Sequence, residues 1–335
     1  MTNGGEYGRY ALCREMLETP DMMRRFDPEC AGPLAELAEG ARSILLTGEG
    51  SSRLFPAKRV RAEALRTPGA GVPVTEGATQ ALEYGLDGCA VLGSSNSGRT
   101  RELVRLFTTL RRRGHRRLGG VTAHGGSPLT VVSDVCLVLD CGPEDAVAAT
   151  KSVVEQAMVW QAVMAEVDGR AFPDAAAGAD AVAAALAAPV PTGFAAALAA
   201  AQTVYFAGRN DGVAEELALK AAEIARKPAM YLEGTYAVHG IEEVMNKGDV
   251  VVLVNPFEDE EAKLAECLRD GVGLPVLAIA DRETSFPTFR VPDGGVFREY
   301  VLLAAGWNLL VEAGLAVGVD LDRPVRARKV GNKVD

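Results

Sequence analysis

The chain has 335 residues, 48% hydrophobic and 24% charged, with a net charge of −10. That length predicts about two domains with ample apolar material for their cores. The acidic balance excludes a general binder of nucleic acid, which needs a concentrated basic surface.

Six cysteines without a CxxC pair and only three histidines give no zinc-ligand spacing, so neither metal nor cofactor is expected. The N-terminus is polar and acidic, unlike a signal peptide, and no stretch approaches a membrane span. A cytoplasmic protein without membrane contact is therefore expected. The one basic run, Arg111–Arg117, falls where a helix would end, and cations suit a helix C-terminus.

In chain order, residues 1–40 read as helices, with Tyr10, Leu12 and Met16 on one face and a break at Thr19-Pro20. Ser43 to Thr47 is a strand that runs into Gly50-Ser51-Ser52, and a helix covers Leu54 to Ala64. Val72–Thr75 is a short strand and Cys89–Gly93 a buried one. A helix over 101–113 is followed by strands at Arg117–Ala123 and Asp134–Leu139. A long helix is predicted from about Ala146 to Glu166, and then an Ala-rich linker grading into a helix.

The second half repeats the pattern. Strands at 203–208, 230–232, 249–255 and 274–279 surround a helix over Val213–Arg226, and Val301–Ala313 is the closing helix. This alternation predicts an α/β protein of two doubly wound parallel-sheet domains, with the look of an internal duplication. The expected boundaries are N-terminal helices 1–40, a first domain 41–170, a linker 171–200 and a second domain 201–335.

Two stretches carry chemistry. Ser95-Asn96-Ser97-Gly98-Arg99-Thr100 lies between a strand and a helix start, where free backbone N–H groups and the helix dipole favour an anion. The same hydroxyls also suit a plain helix cap. On the helix at 213–226, Glu216, Lys220 and Glu223 share one face at i+4 and i+3 spacing, with Leu217, Ala221 and Ile224 opposite. By spacing alone such a face is a solvated one. His239 lies in a loop nearby.

The run Ser95 to Thr100 with Glu102 resembles the S-x-S-G-x-T-x-E signature of the sugar isomerase (SIS) family. The duplicated layout resembles the isomerase domain of glucosamine-6-phosphate synthase, the phosphosugar deaminases and the fructosamine-6-phosphate deglycases. Further matches are Gly50-Ser51-Ser52, Val147-Ala-Ala-Thr-Lys151, Glu216-x-x-x-Lys220-x-x-Glu223 with His239 nineteen residues past the lysine, and Asp322-Arg-Pro324 with Lys329. The likeness covers about residues 40–335 and implies flavodoxin-like SIS domains.

The resemblance implies that Ser95, Asn96, Ser97 and Thr100 hold a sugar phosphate, with Ser51 and Ser52 on the sugar hydroxyls and Val147 in the substrate-contacting segment. It makes Glu223 the base that moves a proton between the first two sugar carbons, and it gives Lys220 the terminal hydroxyl. His239 would open the ring, often from a neighbouring subunit, and Lys329 would close over the open-chain sugar. The chemistry is coherent: a carboxylate with tunable basicity abstracts the proton, and a cation one turn away stabilises the enediol oxygen. Glu216 would set the lysine's charge and orientation.

The chain departs from the synthase-like His-Gly-Pro with His239-Gly240-Ile241-Glu242-Glu243. Those carboxylates would favour a protonated histidine or recognise an amine, which points to an amino-sugar substrate. No glutaminase half precedes residue 40, so glutamine-dependent amination by this chain alone is not expected. The resulting expectation is a phosphosugar aldose–ketose isomerase, coupled to deamination or deglycation of an amino-sugar or fructosamine 6-phosphate and working as a homodimer with a shared site. The alternative is a non-catalytic phosphosugar sensor.

Overall fold

A computed structural model describes residues 1–2, 4–328 and 332–334. The chain forms two compact units. The amino-terminal sheet unit comprises Met22–Glu144, Ala149–Asp174 and Arg328–Asp335. The carboxy-terminal sheet unit comprises Met1–Asp21, Asp145–Ala148 and Ala175–Ala327.

In the amino-terminal unit, β1 (Ser43–Gly48), β2 (Val74–Gly77), β3 (Cys89–Ser94), β4 (Leu118–Thr122) and β5 (Val135–Val138) pair in parallel, in the order β2-β1-β3-β4-β5. Its central strands are apolar runs buried on both faces, as parallel sheets require. The order reverses between β1 and β3, and in such sheets the loops beyond those two strands frame the ligand crevice. Leu45, Val91, Leu103, Phe107 and Leu118 form the core on one face. The helix Lys151–Val167 packs against the helix Ser51–Arg66, and residues 151–165 of it are buried throughout.

The carboxy-terminal unit repeats the plan with β6 (Val204–Gly208), β7 (Ala229–Glu233), β8 (Val250–Val254), β9 (Val276–Ala280) and β10 (Thr288–Arg290). The order β10-β9-β8-β6-β7, again all parallel, is the same winding. Two flavodoxin-like sheets of one design bear out the expected fold class. The edge strand β10 is only three residues long and lacks a clear apolar run, so the sequence did not announce it.

Several local expectations are corrected. The first helix, Ala11–Arg25, runs straight through Pro20. Pro20 and Thr19 are buried, and the Thr19 hydroxyl bonds back to the Glu15 carbonyl at 3.4 Å, so packing outweighs the missing donor. The Ala-rich stretch folds as two helices, Ala176–Ala187 and Phe194–Ala200, both packed on the closing helix Arg298–Val317.

Contrary to the sequence reading, one segment, Gly295–Val317, is long and apolar enough to cross a membrane, but 78% of its apolar window is buried inside the protein. It serves as the core helix of its unit. There, Gly306 lets Leu217 approach so closely that a Cβ would sit 2.3 Å from its Cδ2. That contact clamps the helix carrying Glu216 and Lys220.

Candidate active site

Two clusters match the residues singled out in the sequence, one in each unit. In the amino-terminal unit, β3 ends at Ser94, whose Oγ donates to the Ser52 carbonyl at 2.6 Å. Ser51 and Ser52 open the helix Ser51–Arg66 directly after Gly50. Ser95 is buried and its Oγ meets Thr100 Oγ1 at 2.7 Å. Ser97 Oγ accepts from the Arg99 N–H at 3.2 Å.

Thr100, at the N-cap of the helix Arg101–Arg112, makes no side-chain cap bond among the described residues, so its hydroxyl is not a plain helix cap. The amides of the loop lie at the positive end of that helix. Gly98 is required: at φ +62 a Cβ would fall 2.0 Å from Ser127 Oγ.

Glu144 escaped the sequence reading. It accepts from Asn96 Nδ2 at 3.0 Å, Thr150 N–H at 2.8 Å and Ser152 Oγ at 2.5 Å. One carboxylate thus orients Asn96 and satisfies the start of the helix at Lys151, which is why the helix begins there and not at Ala146. An acidic residue three positions ahead of Val147 was the available signal. Glu49 was also missed. It accepts from the Ala78 N–H at 3.0 Å, and burial raises its carboxyl above the ordinary value.

Residues Asn332 to Val334 run beside this loop in the same unit. Arg101 N–H donates to Asn332 O at 3.3 Å and Val334 N–H to Arg99 O at 3.0 Å, while the Asn332 amide bonds the Glu102 carboxylate. Lys329 lies outside the described residues.

In the carboxy-terminal unit the helix Val213–Lys220 continues into a π-helical turn, Ala221–Ala225. Such turns re-aim side chains and recur at functional sites. Here the charged face is not solvated. Glu216 and Lys220 are both fully buried, and Glu223 keeps 24% of its side chain exposed. Lys220 Nζ lies 2.7 Å from Glu223 Oε2 and 3.3 Å from Glu216 Oε1. Burial alone would depress the ammonium, but Glu223 and then Glu216 hold it above the ordinary lysine value.

Glu223 lines a cavity of about 910 Å³ together with Val147 and residues 323–327. Val147 is placed by Glu15, whose Oε1 accepts from the N–H groups of Asp145 and Ala146. Asp322, from the C-terminal motif, accepts from the Ala11 and Leu12 N–H groups at 2.8 and 2.9 Å, and so anchors the start of the first helix. His239 sits in an exposed loop with Nε2 3.2 Å from Thr235 Oγ1, away from the cavity lining. Glu242 spends one oxygen on the Gly240 N–H at 2.7 Å.

At the reversal point of the second sheet, between β6 and β8, stands Arg209, with its guanidinium 4.1 Å over the Phe257 ring and bonded to the Asn255 carbonyl. The segment after β8, Asn255 to Glu260, carries no serine or threonine, so the hydroxyl loop has no counterpart there.

No protein-family model matches the chain. Over 321 residues it is 29% identical to the glutamine–fructose-6-phosphate aminotransferase (isomerizing) of Aeropyrum pernix, a match covering 87% of this chain and 51% of that protein. The chain thus spans about half the length of that relative. Tagatose-6-phosphate ketose/aldose isomerase from Escherichia coli superposes with a TM-score of 0.78 at 18% identity, over 97% of this chain and 100% of that one. Glucosamine-6-phosphate deaminase from Thermotoga maritima gives 0.72 at 17% identity, over 96% and 99%.

The chain shares the double-domain fold of these proteins. The resemblance to SIS proteins expected from the motifs is therefore matched in both sequence and fold.

Proposed function

We propose that the protein is a phosphosugar aldose–ketose isomerase whose proton transfer is coupled to loss of an amine from an amino-sugar or fructosamine 6-phosphate. The observation that carries this reading is the Lys220–Glu223 pair. A carboxylate open to a cavity is held against an ammonium that is itself fully buried and backed by Glu216. Glu223 takes a proton from the carbon next to the carbonyl and returns it to the neighbouring carbon, and Lys220 stabilises the developing enediol oxygen. Ser95, Asn96, Ser97 and Thr100 anchor the phosphate, and Ser51 and Ser52 meet the sugar hydroxyls. Lys329 closes on the open-chain sugar.

His239 opens the ring in a neighbouring copy of a homodimer, and its exposed position supports that assignment. Six free cysteines support work in the reducing cytoplasm. The names of the similar proteins, an isomerizing aminotransferase, a ketose/aldose isomerase and a deaminase, agree with an aldose–ketose step on sugar 6-phosphates.

The test is a panel of hexose, amino-hexose and fructosamine 6-phosphates followed for ketose–aldose conversion and amine release. Turnover of at least one member, lost in Glu223→Gln, is expected. Binding of sugar phosphates without turnover of any would make the protein a sensor.

A further inference from the structure

The basic run at 111–117 belongs to neither cluster of the candidate site. It sets five arginines within seven residues of a chain whose net charge is −10. The helix dipole accounts for Arg111 and Arg112, which close the last turn of the helix Arg101–Arg112. Arg113, Arg116 and Arg117 lie beyond it, and backbone bonds already close that helix end. Gly114, at φ +88, donates to the Arg111 carbonyl and the His115 N–H to the Leu110 carbonyl, both at 3.0 Å.

Those three arginines line a concavity of about 250 Å³ at the amino ends of β3 and β4. The hydroxyl loop begins beyond the carboxyl end of β3, roughly 20 Å away at about 3.3 Å per residue, so no compact ligand spans both places. Arg117 is committed to the Leu37 carbonyl at 3.2 Å and to the Glu39 carbonyl. His115 is committed at both ring nitrogens, to the Arg117 N–H and the Leu86 carbonyl, each at 3.2 Å. Arg113 and Arg116 are exposed, and neither guanidinium has a carboxylate partner among the described residues. Arg116 spends one nitrogen on the His115 carbonyl at 3.1 Å. Asp87 is the one carboxylate in the lining. Like charges gathered in a concavity repel, and a bound anion relieves that repulsion.

We propose that this concavity is a second anion site, and that it takes a compact inorganic polyphosphate, of which pyrophosphate is the smallest. Each free guanidinium presents a planar fork that matches two oxygens of one phosphate group, so Arg113 and Arg116 together match two linked phosphates. Arg117 and Arg42, the latter held by the Gly85 carbonyl at 3.2 Å, add positive charge at fixed positions. Gly88 and Gly114, both at positive φ, leave parts of the wall as bare backbone, and Cys89 is the one apolar side chain in the lining. A volume this small, without an aromatic or aliphatic wall, has nothing to hold a nucleoside or an acyl arm. The inference stands apart from the isomerase reading, which uses none of these residues.

The test is isothermal titration of pyrophosphate and of sulfate into the full chain at one ionic strength, comparing the wild type with Arg113→Ala/Arg116→Ala and Arg113→Lys/Arg116→Lys. The wild type should bind pyrophosphate about tenfold or more tightly than sulfate, and the alanine pair should weaken pyrophosphate by about tenfold or more. The lysine pair keeps the charge without the fork and should recover only part of that loss. Excess hexose 6-phosphate, directed to the hydroxyl loop, should leave this binding event in place. Both arginines are exposed, and a thermal melt confirms that the variants fold. Equal pyrophosphate affinity in the wild type and the alanine pair would overturn the inference, as would sulfate binding as tightly as pyrophosphate or displacement of pyrophosphate by hexose 6-phosphate. A lysine pair as tight as the wild type would overturn recognition by the guanidinium forks.

Discussion

Lys220 Nζ and Glu223 Oε2 are 2.7 Å apart, with the lysine wholly inside the protein and the glutamate partly outside. Glu216 closes the pair from behind at 3.3 Å with no exposure of its own. Removing one member of a buried ionic group leaves an uncompensated charge, which costs about 3–5 kcal/mol, whereas replacing partners together costs much less. Lys220→Met should therefore lower unfolding stability by about 3 kcal/mol or more, and Glu216→Leu/Lys220→Met should recover much of the loss. Denaturant melts of the three proteins check this. A single variant as stable as the wild type would contradict the pairing.

The pH dependence follows from the same lysine. Its folded value is raised above the ordinary 10.5, so its stabilisation is complete below that pH and is lost only as pH rises through the higher folded value. The stability gap between the wild type and Glu216→Leu/Lys220→Met, which leaves no unpaired Glu216 to titrate, should stay constant from pH 7 to about 10 and shrink only above the ordinary lysine value. A gap that closes between pH 7 and 9 would mean that burial prevails and the lysine is neutral.

The hydroxyl loop gives a third prediction. Gly98→Ala places a Cβ within 2.0 Å of Ser127 Oγ at a positive φ, so the loop must deform and sugar-phosphate affinity should fall by about tenfold or more. Glu144→Gln keeps the size of the side chain but weakens the charge-assisted bonds to Asn96, Thr150 and Ser152. It should raise the Kd for a hexose 6-phosphate more than that for the dephosphorylated sugar. Isothermal titration with both ligands separates the effects, and equal losses would remove Glu144 from phosphate positioning.

Cysteine reactivity tests the packing independently. Burial pushes the Cys13 thiol up to about 12 and raises Cys141 further still, and both are buried, while Cys267 is half-buried. Alkylation followed by peptide mass spectrometry should label Cys267 first and Cys13 and Cys141 last. Labelling of Cys13 in native protein as fast as in urea would contradict the placement of the first helix.

The strands were legible because a doubly covered parallel sheet needs apolar runs, and Val250–Val254 or Ala90–Leu92 leave little choice. The Glu216–Lys220–Glu223 grouping was legible from spacing, yet its burial was not. Helical periodicity finds a shared face but not what covers it, and here the closing helix packs in close contact through Gly306 against Leu217. Long-range carboxylate contacts were invisible for the same reason. Glu15 and Asp322 serve backbone N–H groups, and Glu144 the Asn96 side-chain amide, that local sequence does not bring near them. Pro20 reads as a helix stop locally, and burial carries the helix past it.

The central claim is that Glu223 carries the proton between the first two carbons of a sugar phosphate. Its most direct measurement is proton NMR in D₂O of whichever 6-phosphate the wild-type protein converts, following exchange of solvent deuterium into the substrate carbon. The wild type should wash in deuterium, and Glu223→Gln should slow the exchange by about 10²–10⁴-fold with the Kd for the sugar phosphate little changed. Exchange at the wild-type rate in Glu223→Gln would contradict the account.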